Sequence, residues 1–226
     1  MSVDVNSLPQ FTRCLAPGEW LDVQPVWPTA GWRLHSGALS LSVLDVAERE
    51  TLVGLALPGD VVGLEPNDQS RRTSLAKALV PCVLTPLAMP EDDAGWRQLL
   101  ARAMGQHWQQ AANMSRLRSG TVPERVRRLL LLLAHSAAVP GTAASDQDTA
   151  APGAHPLPRL RDMAALVDTA PETVSRIISG LRRLSLLQER DHRSARYDPH
   201  TLAGCELPLA LSRGSAQQRA LWALPA

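Results

Sequence analysis

Residues 159–187, RLRDMAALVDTAPETVSRIISGLRRLSLL, are the stretch whose pattern decides the fold of the C-terminal half. Leu160, Met163, Ala164 and Val167 recur at helical spacing and predict one apolar stripe, and Val174, Ile177, Ile178, Leu181 and Leu184 predict a second. Asp168-Thr169-Ala170 interrupts the pattern. Pro171 follows, and its fixed φ and missing N–H suit the first turn of a helix. Two short amphipathic helices joined this tightly cross at a steep angle, as in a helix-turn-helix.

The polarity of the second helix separates this reading from an ordinary helical hairpin of some other three-helix domain. Opposite its stripe, the first two turns carry Glu172, Thr173, Ser175 and Arg176, with Arg182 farther along. A recognition helix meets the major groove with its N-terminal turns. There arginine can pair bidentately with guanine, glutamate can accept from the cytosine amine, and serine can serve either role. The polar residues 188–197, QERDHRSARY, have the spacing of a short hairpin rather than of a helix. As a wing, this hairpin would set Arg190, Arg193 and Arg196 against phosphates, which hold register without specifying sequence; the plainer alternative is a solvated turn.

These residues carry a family resemblance. The segment from about residue 159 to 202 resembles the winged helix of the Crp/Fnr transcription regulators, and Glu172-Thr173-Val174-Ser175-Arg176 is similar to the E-T-x-S-R core of the recognition helix in its Fnr branch. Upstream, Leu57-Pro58-Gly59-Asp60-Val61-Val62-Gly63 resembles the family's L-P-G-D/E-x-x-G turn, His35-Ser36-Gly37-Ala38-Leu39-Ser40-Leu41 a strand entry of its barrel, and Ala16-Pro17-Gly18-Glu19 its P-G-E corner. The resemblance implies an α+β chain: an N-terminal β-roll of the cyclic-nucleotide-binding-like jelly-roll type, a long dimerisation helix, and a C-terminal winged helix-turn-helix. It implies Arg176 on guanine, Glu172 on cytosine and Ser175 on thymine or phosphate, with TTGA-like half-sites in a two-fold operator. Asp168 stands where the family often has a turn glycine, and Ala170 where it often has a serine-type cap.

The charge distribution agrees with a DNA contact in the C-terminal half. Net charge is +1 overall, yet residues 1–100 hold 7 basic and 12 acidic side chains while residues 101–226 hold 16 and 10. Acidic surface repels DNA, so the basic half is the one to meet it. Of the basic residues, only Lys77 is a lysine, and arginine suits bidentate recognition.

In the N-terminal part, residues 18–26, 31–43 and 51–57 alternate apolar and polar side chains between breaks bearing proline or glycine, which predicts an antiparallel roll. Trp20, Trp27 and Trp32 are expected to pack inside or against it. By the resemblance, residues 71–79 follow the phosphate cassette of the nucleotide-binding members, so Gly63, Arg72 and Thr73 are the candidate ligand residues. Those members place a carboxylate after the glycine to accept from the ribose hydroxyl. Here that place is Leu64, with Glu65 one position late. An unpaired hydroxyl would cost about 1–3 kcal/mol. We therefore expect a roll without a cyclic-nucleotide site and no cofactor, the alternative being a regulator that still responds to a cyclic nucleotide.

Residues 92–117 contain no proline and predict one long helix, along which Trp96, Leu100, Ala103, His107, Ala111, Met114 and Leu117 fall near a 3-4 spacing as a seam, which the resemblance makes the dimerisation face. His107 could ligate haem or sense pH, though a polar seam residue is the simpler reading. A second helix over 123–135, with Thr121 as N-cap and leucines at 129–133, suits a hinge buried between domains. Residues 137–158 lack periodicity and predict a flexible loop, and 206–226 a tail. The expected units are therefore 1–91, 92–136, 137–158, 159–205 and 206–226.

Cys14, Cys82 and Cys205 are far apart, with no C-x-x-C and no zinc spacing, and read as reduced thiols in a cytoplasmic protein. No catalytic residues, metal ligands or membrane span are expected: the chain has no G-x-S-x-G, H-E-x-x-H or P-loop, and no apolar run of membrane length. The sequence thus predicts a homodimeric regulator whose partners are double-stranded DNA, a second copy of itself and RNA polymerase. The alternative from another class is a winged-helix module that binds protein instead of DNA.

Overall fold

The computed structural model describes residues 12–21, 29–45, 47–64, 73–136, 154–191, 193–205 and 207. Eight strands come first: β1 (Arg13–Leu15), β2 (Trp20–Leu21), β3 (Thr29–Ser36), β4 (Leu39–Leu44), β5 (Glu50–Ala56), β6 (Val61–Val62), β7 (Thr73–Ala78) and β8 (Cys82–Ala88). They form two antiparallel sheets, ordered β1-β8-β3-β6 and β2-β7-β4-β5. Leu15, Leu21, Leu34, Leu39, Ala56, Val62, Ala76 and Leu84 fill the roll they enclose.

The alternating run 31–43 is divided between the two sheets: the chain leaves one after Ser36 and enters the other at Leu39. Gly37 makes the transfer at φ 93°, where a Cβ would lie 2.4 Å from the Pro81 carbonyl oxygen, so only glycine fits. Trp20 is exposed rather than packed inside, and Trp32 is half-buried against the core; Trp27 lies outside the described residues.

Helix α1 (Asp93–Arg118) starts at Asp92, whose carboxylate accepts from the Gly95 N–H at 2.7 Å. Gly120, at φ 83°, turns the chain into α2 (Val122–Ser136). Thr121 stands just before that helix, its carbonyl accepting from the Arg125 N–H at 3.0 Å, and the Glu124 carboxylate reaches back to accept from the Thr121 N–H at 3.0 Å. That hydrogen bond holds the Glu124 carboxyl below its ordinary pKa.

Strand β9 (Ala154–Pro156) precedes α3 (Leu160–Leu166) and α4 (Pro171–Arg183); then come β10 (Gln188–Asp191), β11 (Ser194–Arg196) and α5 (Pro199–Gly204). The expected loop 137–158 is corrected at its end. Residues 154–156 pair with β11 and make the wing a three-stranded sheet ordered β10-β11-β9, because backbone N–H and C=O groups beside a hairpin edge are satisfied by an added strand. The remainder of that loop, 137–153, and the tail beyond 207 lie outside the described residues.

Leu129, Leu130 and Leu133 are fully buried in a second core with Leu117, Met163, Leu166, Ile177 and Leu181, which also takes in Ala38, Leu55, Leu79 and Val80 of the roll. Each such burial is worth about 1.5–3 kcal/mol. The leucine run of α2 is thus the apolar joint between the roll and the C-terminal half.

Candidate nucleic-acid interface and roll cavity

The helix-turn-helix is built largely as its pattern predicts, with the ends of both stripes corrected: Leu160 and Leu184, at the outer ends of the pair, are exposed, and Leu166 is buried in addition. Met163, Ala164 and Leu166 of α3, with Val167 at its C-terminal end, meet Val174, Ile177, Ile178 and Leu181 of α4 in the buried core. Pro171 occupies the first turn of α4, and the Ala170 carbonyl accepts from Thr173 and Val174 at 3.0 and 3.2 Å. The Ala170 cap makes no side-chain hydrogen bond. Asp168 takes the left-handed conformation at φ 50° in the turn, a backbone position that favours glycine.

Burying one stripe of α4 turns the other outward. Glu172 and Arg176, one helical turn apart, are exposed, and Thr173 and Ser175 are half-buried beside them. Arg182 is exposed in the last turn. In the wing, Arg193 sits exposed at the tip and Arg196 exposed on β11, whereas the side chain of Arg190 is outside what is described. Acidic Glu172 at the start of α4 and basic Arg182 and Arg183 at its end also suit the helix dipole.

Three contacts that hold this head in place leave no periodic signal in the sequence. Arg125 of α2 donates from one guanidinium nitrogen to the carbonyls of Val167 and Asp168 at 2.6 and 3.1 Å, across the turn between α3 and α4. The Tyr197 hydroxyl, buried, donates to the Leu130 carbonyl at 2.7 Å, and burial pushes that phenol well above its ordinary pKa. His155 of β9 lies against the Tyr197 ring with centroids 4.5 Å apart, and desolvation lowers the pKa of its imidazole. Only the spacing of Tyr197 after the wing arginines could have suggested an anchor.

A cavity of about 400 Å³ separates α1 from the roll. Leu41, Val53, Val61, Val62, Leu64 and Leu75 make its apolar wall. From the helix side come Ala103, Gln106, His107, Gln110 and Ala111. Gln106 mimics a neighbouring strand, accepting from Val61 N–H at 2.8 Å and donating to Val61 C=O at 2.7 Å. Gln110 donates to the Asp60 carboxylate at 3.1 Å; burial raises the Asp60 pKa, against the lowering effect of the Leu57 N–H and Gln110 hydrogen bonds. Gly63 and Leu64 line the cavity, Thr73 begins β7, and Arg72 lies outside the described residues.

The seam expected on α1 needs correction. Met114 and Leu117 are buried in the chain's own core, and Ala103, His107 and Ala111 line the cavity, because α1 turns that side toward the roll. The exposed apolar line runs instead through Trp96, Leu100, Met104 and Trp108, the last three 59%, 66% and 74% exposed at successive four-residue steps.

Among the described residues no group of His, Cys, Asp and Glu side chains is placed to hold a metal, and no helix is long and apolar enough to cross a membrane. Cys14, Cys82 and Cys205 form no disulfide, and burial pushes the Cys82 thiol up to about 11.

No protein-family model matches the chain, nor does any curated sequence. Solved structures do. A CRP-family transcriptional regulator from Thermus thermophilus superposes with a TM-score of 0.60 at 23% identity, covering 88% of this chain and 100% of that one. FixK2 from Bradyrhizobium japonicum gives 0.62 at 23% identity over 89% and 99%. A CRP/FNR-family regulator, also from Thermus thermophilus, gives 0.54 at 22% identity over 90% and 100%. Roll, connecting helix and winged helix, in that order and over nearly the whole length of these proteins, give this chain the fold of the CRP/FNR transcriptional regulators.

Proposed function

We propose that the chain is a Crp/Fnr-type transcription regulator that binds a two-fold DNA site as a homodimer. The observation that carries this reading is α4: Val174, Ile177, Ile178 and Leu181 are buried, which leaves Glu172 and Arg176 outward with Ser175 at their margin, beside a wing that presents Arg193 and Arg196. In a major groove Arg176 reads guanine, Glu172 accepts from cytosine, Ser175 meets thymine or phosphate, and Thr173 and Arg182 lie along the backbone. By its resemblance to the Fnr branch, that triplet implies TTGA-like half-sites. Two copies meet along α1 through Trp96, Leu100, Met104 and Trp108.

The roll acts without a cyclic nucleotide, since by the resemblance Leu64 stands where those members place the acceptor for a ribose hydroxyl. RNA polymerase is a further partner that fits this role.

The test separates base reading from phosphate holding. Arg176→Ala should cost about 1–3 kcal/mol per half-site and flatten preference at one base pair. Arg196→Ala should instead weaken all duplexes alike and reduce the salt slope by about one unit. Titration of both variants against matched and guanine-substituted palindromes at two salt concentrations distinguishes them. Equal loss on both palindromes for Arg176→Ala would remove its role as base reader, and no effect of either variant would favour a protein-binding module.

A further inference from the structure

Two contacts run from the roll to the start of α3, and neither is part of the DNA-facing surface. The Lys77 ammonium of β7 lies 2.8 Å from the Asp162 carboxylate in the first turn of α3, with the two side chains only 15% and 13% exposed. The Trp20 ring stands 5.8 Å from the same ammonium, from the register partner of Lys77 on β2. Beside them, the Arg159 guanidinium packs against Gly18, 3.4 Å from where a Cβ would be.

The pair joins two elements with consequences at their other ends. Ser74 and Leu75, on the same strand as Lys77, line the cavity between the roll and α1. Asp162 is next to Met163 and Ala164, which pack α3 onto the recognition helix. Strands and short helices move as rigid pieces, so the position of β7 sets the position of α3, and α3 sets α4. An ion pair this dry is directional, because separating the partners strands two poorly hydrated charges.

We propose that Lys77 is a positioning residue for DNA reading: through Asp162 and the Trp20 face it pins the helix-turn-helix to the strand that walls the roll cavity. This rests on the DNA-binding function proposed above. A head held at one angle presents α4 to the groove already oriented, whereas a released head must be ordered when it binds, which weakens affinity.

The experiment uses the full chain with Lys77→Met, with the isosteric Asp162→Asn, and with the swap Lys77→Asp plus Asp162→Lys. Hydrogen exchange over residues 74–78 and 160–166 reports the latch, and affinity for a duplex selected by the wild-type chain from a random pool reports its consequence. Each single variant should speed exchange in both segments and weaken binding about five- to tenfold while the protein remains folded; the swap should restore most of both. Unchanged exchange, affinity within twofold of wild type in both single variants, or a swap no better than the singles would overturn the proposal. Tighter binding by the singles would also overturn it, since the docked head would then be held away from DNA. If the wild-type chain selects no duplex, the functional reading fails by itself and the exchange measurement alone decides the latch.

Discussion

Replacing Arg125 by Met tests how the turn of the reading head is held. The substitution keeps an unbranched stem of similar length and removes the guanidinium that donates to the Val167 and Asp168 carbonyls at 2.6 and 3.1 Å. A hydrogen bond from a charged donor is worth about 1.5–3 kcal/mol when its partner cannot turn to water. Val167 is fully buried, so its carbonyl warrants that range, whereas water can replace the bond at exposed Asp168 at little cost. Loss of a cation at the C-terminal end of α3 adds about 0.3–1 kcal/mol. The expected destabilisation of the α3–α4 unit is therefore about 2–4 kcal/mol, which corresponds to roughly 30- to 800-fold faster native-state hydrogen exchange at amides 163–178. Arg125→Lys, a point donor that cannot bridge both carbonyls equally, should lose about half as much. Asp168→Gly should stabilise the same unit by about 1 kcal/mol, because glycine adopts φ 50° without strain. If Arg125→Met changes exchange by less than about threefold, water satisfies both carbonyls and the reasoning is wrong.

Acidification should loosen the wing sheet. Desolvation holds the folded His155 pKa below its ordinary 6.5, so the unfolded chain takes up the proton first and stability falls as pH drops through 6.5 toward the folded value; melting at pH 7.5 and 5.5 should show the loss, and His155→Phe should shrink it. Trp108→Glu, placing charge on the most exposed apolar residue of α1, should convert a dimer to monomer in sedimentation and weaken operator binding together, and a variant that stayed dimeric would move the interface elsewhere. Millimolar cyclic AMP or cyclic GMP should leave melting unchanged; ligand at 100 times its Kd would add about 2.7 kcal/mol, so a clear upward shift would restore a nucleotide site despite Leu64.

Local patterns determined much of this protein. The apolar stripes of α3 and α4, Pro171 after a three-residue break, the start of α2 beside Thr121 and Glu124, and the hairpin spacing of the wing each depend on neighbours in the chain, so periodicity and turn chemistry suffice to read them. For the same reason the outward placement of Glu172 and Arg176 was legible: burial of one helix face dictates the other. Tertiary structure decided what depends on a partner distant in sequence. A stripe on α1 can face a second copy or the roll, and only packing shows that Met114 and Leu117 serve the chain's own core while Met104 and Trp108 remain exposed. The third wing strand joins β9 to β11 across the whole helix-turn-helix. The Arg125 clamp on Val167, the Gln106 pairing with Val61 and the Lys77–Asp162 contact join residues 42, 45 and 85 positions apart, and no spacing rule connects them. A helix or a turn is closed by hydrogen bonds within a few residues, whereas these contacts form only once α1 is packed on the roll, or the helix-turn-helix on α2 and the roll.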